Sequence, residues 1–218
     1  RILRDALDEV FTAEYPASEM KDAVECKLFG IGSEAYVVGS HEFYMGYAYT
    51  RGKMLCLDLG HFHPTESVAD KISSVMLFSD ELLLHVSRPI RWDSDHIVIL
   101  NDEVRRLFQE IVRSGRERDI RVGLDFFDGT LNRVGAYAIG ARNALKAMLL
   151  GYLEPREKLI GYEEEGDYFG RLHLLEEQKT LPFGAVWDQY CRSMDVPTDR
   201  EIRDTVHAYE RDILSKRD

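Results

Sequence analysis

The sequence predicts an α/β fold: the C-terminal half of a (βα)8 TIM barrel, about four βα units, followed by a helical C-terminal extension. Three observations carry this. Short apolar runs bounded by turn residues alternate with stretches of helical periodicity between residues 22 and 152. A closed (βα)8 barrel takes about 250 residues, so four such units make half of one. From residue 153 the strand pattern stops, and charged helical periodicity continues to the end.

Residues 1–14 place Ile2, Leu3, Ala6, Leu7 and Val10 on one helical stripe. The chain opens on this pattern without a Met, which leads us to expect that it begins inside a larger protein. Tyr15-Pro16 breaks the pattern, and residues 22–29 read as the first strand, with Glu25 and Lys27 on one face and Cys26 on the other. Ser40 is an N-cap for a helix over His41–Arg51, which Gly52 closes. A second strand over 53–59 puts Cys56 and Asp58 on one face. A helix follows from Pro64 to about Phe78, with Val68, Ile72, Val75 and Met76 as its apolar stripe. Glu81–Val86 reads as the third strand, Asn101 caps a helix running to about Gly115, and residues 119–126 form the fourth strand, ending at Asp125. A long helix over Asn132–Tyr152 completes the first unit, residues 1–152. The second, 153–218, is expected to pack on the barrel or on a neighbouring subunit.

Acidic residues outnumber basic ones, 39 to 28, for a formal charge of −11. That disfavours nucleic acid as a partner, because binding phosphates takes a basic face. No apolar run is long enough to span a bilayer and no signal peptide is evident. The three cysteines, Cys26, Cys56 and Cys191, have no CxxC spacing, so neither a disulfide framework nor a thiolate zinc site is expected. A reducing compartment, the cytoplasm, fits this usage.

Each of the four strands ends near a potential metal ligand: Glu25, Asp58, His85 and Asp125. In a barrel the C-terminal strand ends converge on one mouth, where active sites sit. Taken singly, Glu25 reads as a carboxylate salt-bridged to Lys27, His85 as a satisfied strand-end histidine, and Asp93 and Asp95 as turn formers. Taken together, they read differently. Buried carboxylates need partners, and a divalent cation satisfies several at once. Mixed oxygen and imidazole donors suit Mn²⁺, Co²⁺, Mg²⁺ or Zn²⁺. His61, three residues after Asp58, and Asp93 and Asp95, two apart in a polar loop, form a second set. Two sets bridged by Asp58 imply two metal ions. His41, His63, His96, His173 and His207 are expected to have packing or supporting roles, and Cys26 and Cys56 are expected to be packing groups.

Three segments carry a specific resemblance. These are Glu25-Cys-Lys27-Leu-Phe-Gly-Ile-Gly-Ser-Glu, Asp58-Leu-Gly-His61-Phe-His-Pro-Thr-Glu and His85-Val-Ser-Arg-Pro-Ile-Arg-Trp-Asp93-Ser-Asp95-His. They resemble the bacterial L-rhamnose isomerase family over essentially the whole chain, as the C-terminal half of that enzyme. The spacing is also similar to that of the more distant xylose isomerases. The resemblance implies a homotetramer and two metals, with Mn²⁺ favoured and Zn²⁺ or Co²⁺ able to substitute. It implies interconversion of L-rhamnose and L-rhamnulose, an intramolecular oxidation–reduction. Glu25, Asp58, His85 and Asp125 fall on the ligands of the substrate-anchoring metal, and His61, Asp93 and Asp95 on those of the catalytic metal. Lys27 falls on a lysine that contacts a sugar oxygen, and Lys27, Asp58, His85 and Asp125 are implied to contact substrate. Lys27, His61, Asp93, Asp95 and Asp125 form the implied catalytic set. The first four strands of the family's barrel are absent from this sequence. Two other readings stay open: a two-metal hydrolase of the same barrel type, and a half-barrel without activity of its own.

Overall fold

The computed structural model describes residues 1–217 apart from Leu28, Val37 and 91–95. Four parallel strands form one sheet in sequential order. They are β1 (Ala23–Glu25), β2 (Met54–Asp58), β3 (Leu82–Val86) and β4 (Ile120–Leu124). Helices follow the strands, so the architecture is that of a partial barrel built from βα units.

The register sorts every side chain. Val24 lies opposite Leu55, Leu55 opposite Leu82, and Leu57 opposite Leu84. Paired residues in a parallel sheet point to the same face, so these define an apolar outer face. Leu55, Leu57, Leu82, Leu84 and Val86 are all buried there. The alternate positions pair Glu25 with Cys56, and Asp58 with His85. Period two thus separates an apolar face under the helices from a polar inner face.

Four helices cover the outer face: α2 (His41–Arg51), α3 (Ala69–Val75), α4 (Asp102–Ser114) and α5 (Arg133–Tyr152). Their ends are set by local chemistry. Ser40 accepts from the Phe43 N–H at 3.2 Å, Asn101 from Val104 at 3.0 Å and Asn132 from Gly135 at 2.7 Å. Gly52 and Gly115 close α2 and α4 in the left-handed region. On α4 the buried residues are Val104, Leu107, Phe108 and Ile111, the spacing of one helical stripe. Gly140 of α5 admits Phe126, since a β-carbon there would meet the ring at 2.7 Å.

The expected helix from Pro64 to Phe78 is shorter, covering Ala69–Val75. The preceding residues are held in a turn, with the Glu66 N–H bonded to His63 O at 2.8 Å and His63 Nδ1 within 2.7 Å of Thr65 Oγ1. Its stripe of Val68, Ile72, Val75 and Met76 is buried as expected. The first helix, α1 (Ile2–Val10), differs more. Ile2 and Val10 are exposed, and Leu3, Leu7 and Phe11 make the contact with the core.

Beyond residue 152 come four helices, α6 (Arg156–Glu165), α7 (Tyr168–Gln178), α8 (Phe183–Ser193) and α9 (Asp199–Asp212). No strand occurs among the described residues of this stretch. Asp199 ties it to α5, accepting from Arg142 Nε at 2.7 Å and Trp187 Nε1 at 3.2 Å and pairing with Lys146. Both cations lie over the Trp187 ring. An ion pair between half-buried Arg113 and buried Glu154 fixes α4 to the end of α5. No described helix is long and apolar enough to cross a membrane.

Candidate metal centre

The inner face carries its carboxylate and imidazole side chains at the C-terminal strand ends. Glu25 is the last residue of β1 and Asp58 the last of β2. His85 sits opposite Asp58 on β3, and Asp125 follows β4 directly. The Asp125 N–H bonds to Val86 O at 3.1 Å, prolonging the β3–β4 ladder by one step. His61 is brought over the end of β2 by a tight turn. There Asp58 Oδ1 accepts from the Gly60 N–H at 2.6 Å and the His61 N–H reaches Asp58 O at 3.2 Å.

The distances are short. Glu25 Oε1 lies 3.1 Å from His61 Nδ1 and 3.3 Å from His85 Nδ1. His85 Nδ1 is 3.4 Å from Asp125 Oδ2 and 3.9 Å from Asp58 Oδ2. Yet Glu25 Oε1, Asp58 Oδ2, His61 Nδ1 and His85 Nδ1 are each buried without an aligned hydrogen-bond partner. Buried polar atoms normally find partners. Four orphans facing one another are the arrangement expected of donors around a cation rather than of a hydrogen-bonded network. Ligand atoms of Glu25, Asp58 and His61 lie within 4.8 Å of one another, as do those of Asp58, His85 and Asp125. The donor set is oxygen and imidazole, which fits a divalent metal.

Electrostatics without a cation are correspondingly strained. Burial pushes the Asp58 carboxyl up to about 6, against the His61 charge and the Gly60 N–H, with Glu25 and Asp125 adding to the rise. Burial also opposes ionisation of Glu25, but the flanking imidazoles outweigh it and hold its carboxyl at about 2. The His85 imidazole is raised chiefly by Glu25, and His61 is raised by Glu25 and Asp58 despite its burial. Asp58 has no exposed surface, whereas the Asp125 side chain is 58% exposed. The site therefore runs from a closed base at Asp58 to an open rim at Asp125.

Of the eight residues singled out in the sequence, five converge: Glu25, Asp58, His61, His85 and Asp125. His61, assigned by the resemblance to a second set, sits here with Glu25 and Asp58. Asp93 and Asp95 lie outside the described residues. Lys27 does not pair with Glu25; its ammonium lies 3.3 Å from Glu34 Oε2. It is still close enough for its charge to oppose protonation of His61. The sequence reading missed one member. Cys56, expected only to pack beneath Asp58, has its Sγ within 4.8 Å of ligand atoms of both Glu25 and His85. The signal was its place on the inner face, in register with Glu25. Cavities of about 520 and 390 Å³ lie elsewhere, beside Lys21 and Glu81 at the opposite end of the sheet and between α5 and α9.

Parallel βα units with acid and imidazole donors gathered at their C-terminal ends define a partial barrel with a candidate divalent-metal centre. Comparison with known proteins makes the class particular. The L-rhamnose isomerase (RhaA) family model matches residues 1–217, so the chain belongs to the L-rhamnose isomerase family. It is 61% identical over 215 residues to a protein of Rhodopirellula baltica named L-rhamnose isomerase, covering 99% of this chain and 50% of that one. Proteins of the same name from Salmonella paratyphi B and Salmonella newport are 56% identical over 215 residues, covering 99% of this chain and 51% of theirs. The chain thus spans about half the length of the relatives it matches. A two-metal hydrolase is not favoured by an isomerase family match.

Proposed function

We propose that this chain is the metal-bearing half of an aldose–ketose isomerase that interconverts L-rhamnose and L-rhamnulose. The observation that carries the reading is the convergence of orphaned carboxylate and imidazole atoms at the strand ends. The family match supplies the reaction class. Glu25, Asp58, His85 and Asp125 would hold one cation, and His61, Asp93 and Asp95 a second, with Asp58 bridging. Mn²⁺ is the favoured ion, and Zn²⁺ or Co²⁺ can replace it in such a donor set. Bound there, two divalent ions anchor neighbouring sugar oxygens and make a hydroxyl more acidic.

The chain's own side chains do the rest. Isomerisation moves a hydrogen from C2 to C1 and a proton from O2 to O1. Lys27, at the rim, stabilises negative charge developing on O1. Asp125, exposed beyond the strand end, takes and returns the hydroxyl proton. Buried Asp58 and half-buried His85 would hold the ion against which the sugar is positioned. In this reading residues 1–152 carry the site, and residues 153–218 pack on the barrel or on a neighbouring subunit of a cytoplasmic homotetramer.

The test uses this chain, loaded with Mn²⁺ and combined with four complementary βα units of a relative. We expect conversion of L-rhamnose to its ketose, with deuterium placed at C2 delivered to C1. Loss of the label to solvent would remove the hydride route. Absence of conversion with metal bound would remove the substrate assignment.

A further inference from the structure

Cys56 is the one member of the cluster that the function above leaves unused. It occupies the middle of the inner face, in register with Glu25 of β1 and one step below Asp58. It is 1% exposed, and its Sγ, a carboxylate oxygen of Glu25 and a ring nitrogen of His85 all lie within 4.8 Å of one another. Two of those three groups, Glu25 Oε1 and His85 Nδ1, are buried and without a hydrogen-bond partner. On the next step the fully buried Asp58 leaves Oδ2 unpartnered as well. The polar atoms around the thiol thus face one another at ion-pair distance, Glu25 Oε1 3.3 Å from His85 Nδ1, without an aligned hydrogen bond between them.

We propose that Glu25, Cys56 and His85 form a sulfur-containing position for a thiophilic divalent cation at the floor of the mouth, beneath the oxygen and imidazole set. The proposal rests on the metal-centre reading, since Glu25 and His85 belong to both. Around zinc, bonds of about 2.3 Å to sulfur and about 2.0–2.2 Å to nitrogen and oxygen place ligand atoms roughly 3.4–3.6 Å apart. Separations up to 4.8 Å close to that by side-chain rotation, with the strands left in place. Binding exchanges the thiol S–H bond for an S–Zn bond and releases the proton to solvent. Because Glu25 and His85 are shared, a cation on the floor draws both away from Asp58 and Asp125. A thiophilic ion and an oxygen-preferring ion thus exclude one another, and zinc taken up on the floor should displace Mn²⁺.

X-ray absorption at the zinc edge tests this on the full chain with one equivalent of Zn²⁺. We expect one sulfur neighbour at about 2.3 Å beside nitrogen and oxygen neighbours. In Cys56→Ser the sulfur shell should vanish. If that variant does not fold, Cys26→Ser combined with Cys191→Ser leaves Cys56 as the sole cysteine; a retained sulfur shell supports the assignment and a lost one overturns it. Zinc held by nitrogen and oxygen alone, or a sulfur shell surviving in Cys56→Ser, overturns the floor position while leaving the metal centre intact. A chain that takes up no zinc overturns both.

Discussion

Asp58→Asn should stabilise the metal-free chain while abolishing its response to metal. Asp58 has no exposed surface, its Oδ2 lacks a partner, and its carboxyl is raised from an ordinary 3.8 to about 6. A raised carboxyl binds its proton more tightly in the folded state. That proton's stabilisation is complete below pH 3.8 and is lost as pH rises through about 6. At about 1.4 kcal/mol per pH unit, the buried charge costs the metal-free fold about 3 kcal/mol at neutral pH. Asparagine removes the charge and keeps an oxygen for the Gly60 N–H. It also leaves a buried amide N–H₂ without an acceptor, at about 1–2 kcal/mol. The net gain is about 1–2 kcal/mol. Urea denaturation at pH 7.5 in chelator should show it. With Mn²⁺ the natural chain should rise in stability and the variant should not, since the bridging carboxylate is gone. A variant that is less stable in chelator, or that gains as much from Mn²⁺ as the natural chain, refutes the reasoning.

Lys27→Met in the assembled barrel should retain metal yet lose turnover by at least 100-fold, as expected of a positioned charge lost from a transition state; metal analysis and sugar conversion measured on one sample check both. Glu154→Ala strands Arg113 against the end of α5. Because the Glu154 side chain is 2% exposed and the Arg113 side chain 35%, the cost should sit at the low end for a broken buried pair, about 3 kcal/mol; a denaturation shift under about 1 kcal/mol contradicts it. Glu25, held at about 2 by two imidazoles, contributes stability to the metal-free chain that is present above its ordinary 4.5 and lost as pH falls through about 2. Glu25→Gln should flatten that acid limb, and an unchanged midpoint-against-pH profile removes the pairing.

The strands were legible because apolar residues alternate with polar ones over short, bounded runs. Leu55, Leu57, Leu82 and Leu84 announce the covered face, and Cys56, Asp58 and His85 the other. Helix starts followed from Ser40 and Asn101, which cap as their chemistry predicts, while Asn132, read as the first residue of its helix, caps it from one position before. Ends set by tertiary or turn chemistry were not legible. The His63–Thr65 contact delays α3 past the Pro64 signal, and the core selects Leu3 and Leu7 over Ile2 and Val10. At the site, one ligand type per strand end was readable, whereas the nearness of Cys56 to Glu25 depends on the β1–β2 register, which spacing alone does not state. Lys27 pairs with Glu34 across a turn that the local pattern left open.

That register has a further consequence. The rungs Glu25–Cys56 and Asp58–His85 alternate with Val24–Leu55 and Leu57–Leu84, so the sheet works like a reading frame. A slip of one residue in β2 would send Leu55 and Leu57 into the mouth and Cys56 and Asp58 under the helices. Such a frame error loses the core and the centre in the same step. Any population of this chain with a native hydrophobic core therefore carries its donor atoms already in phase.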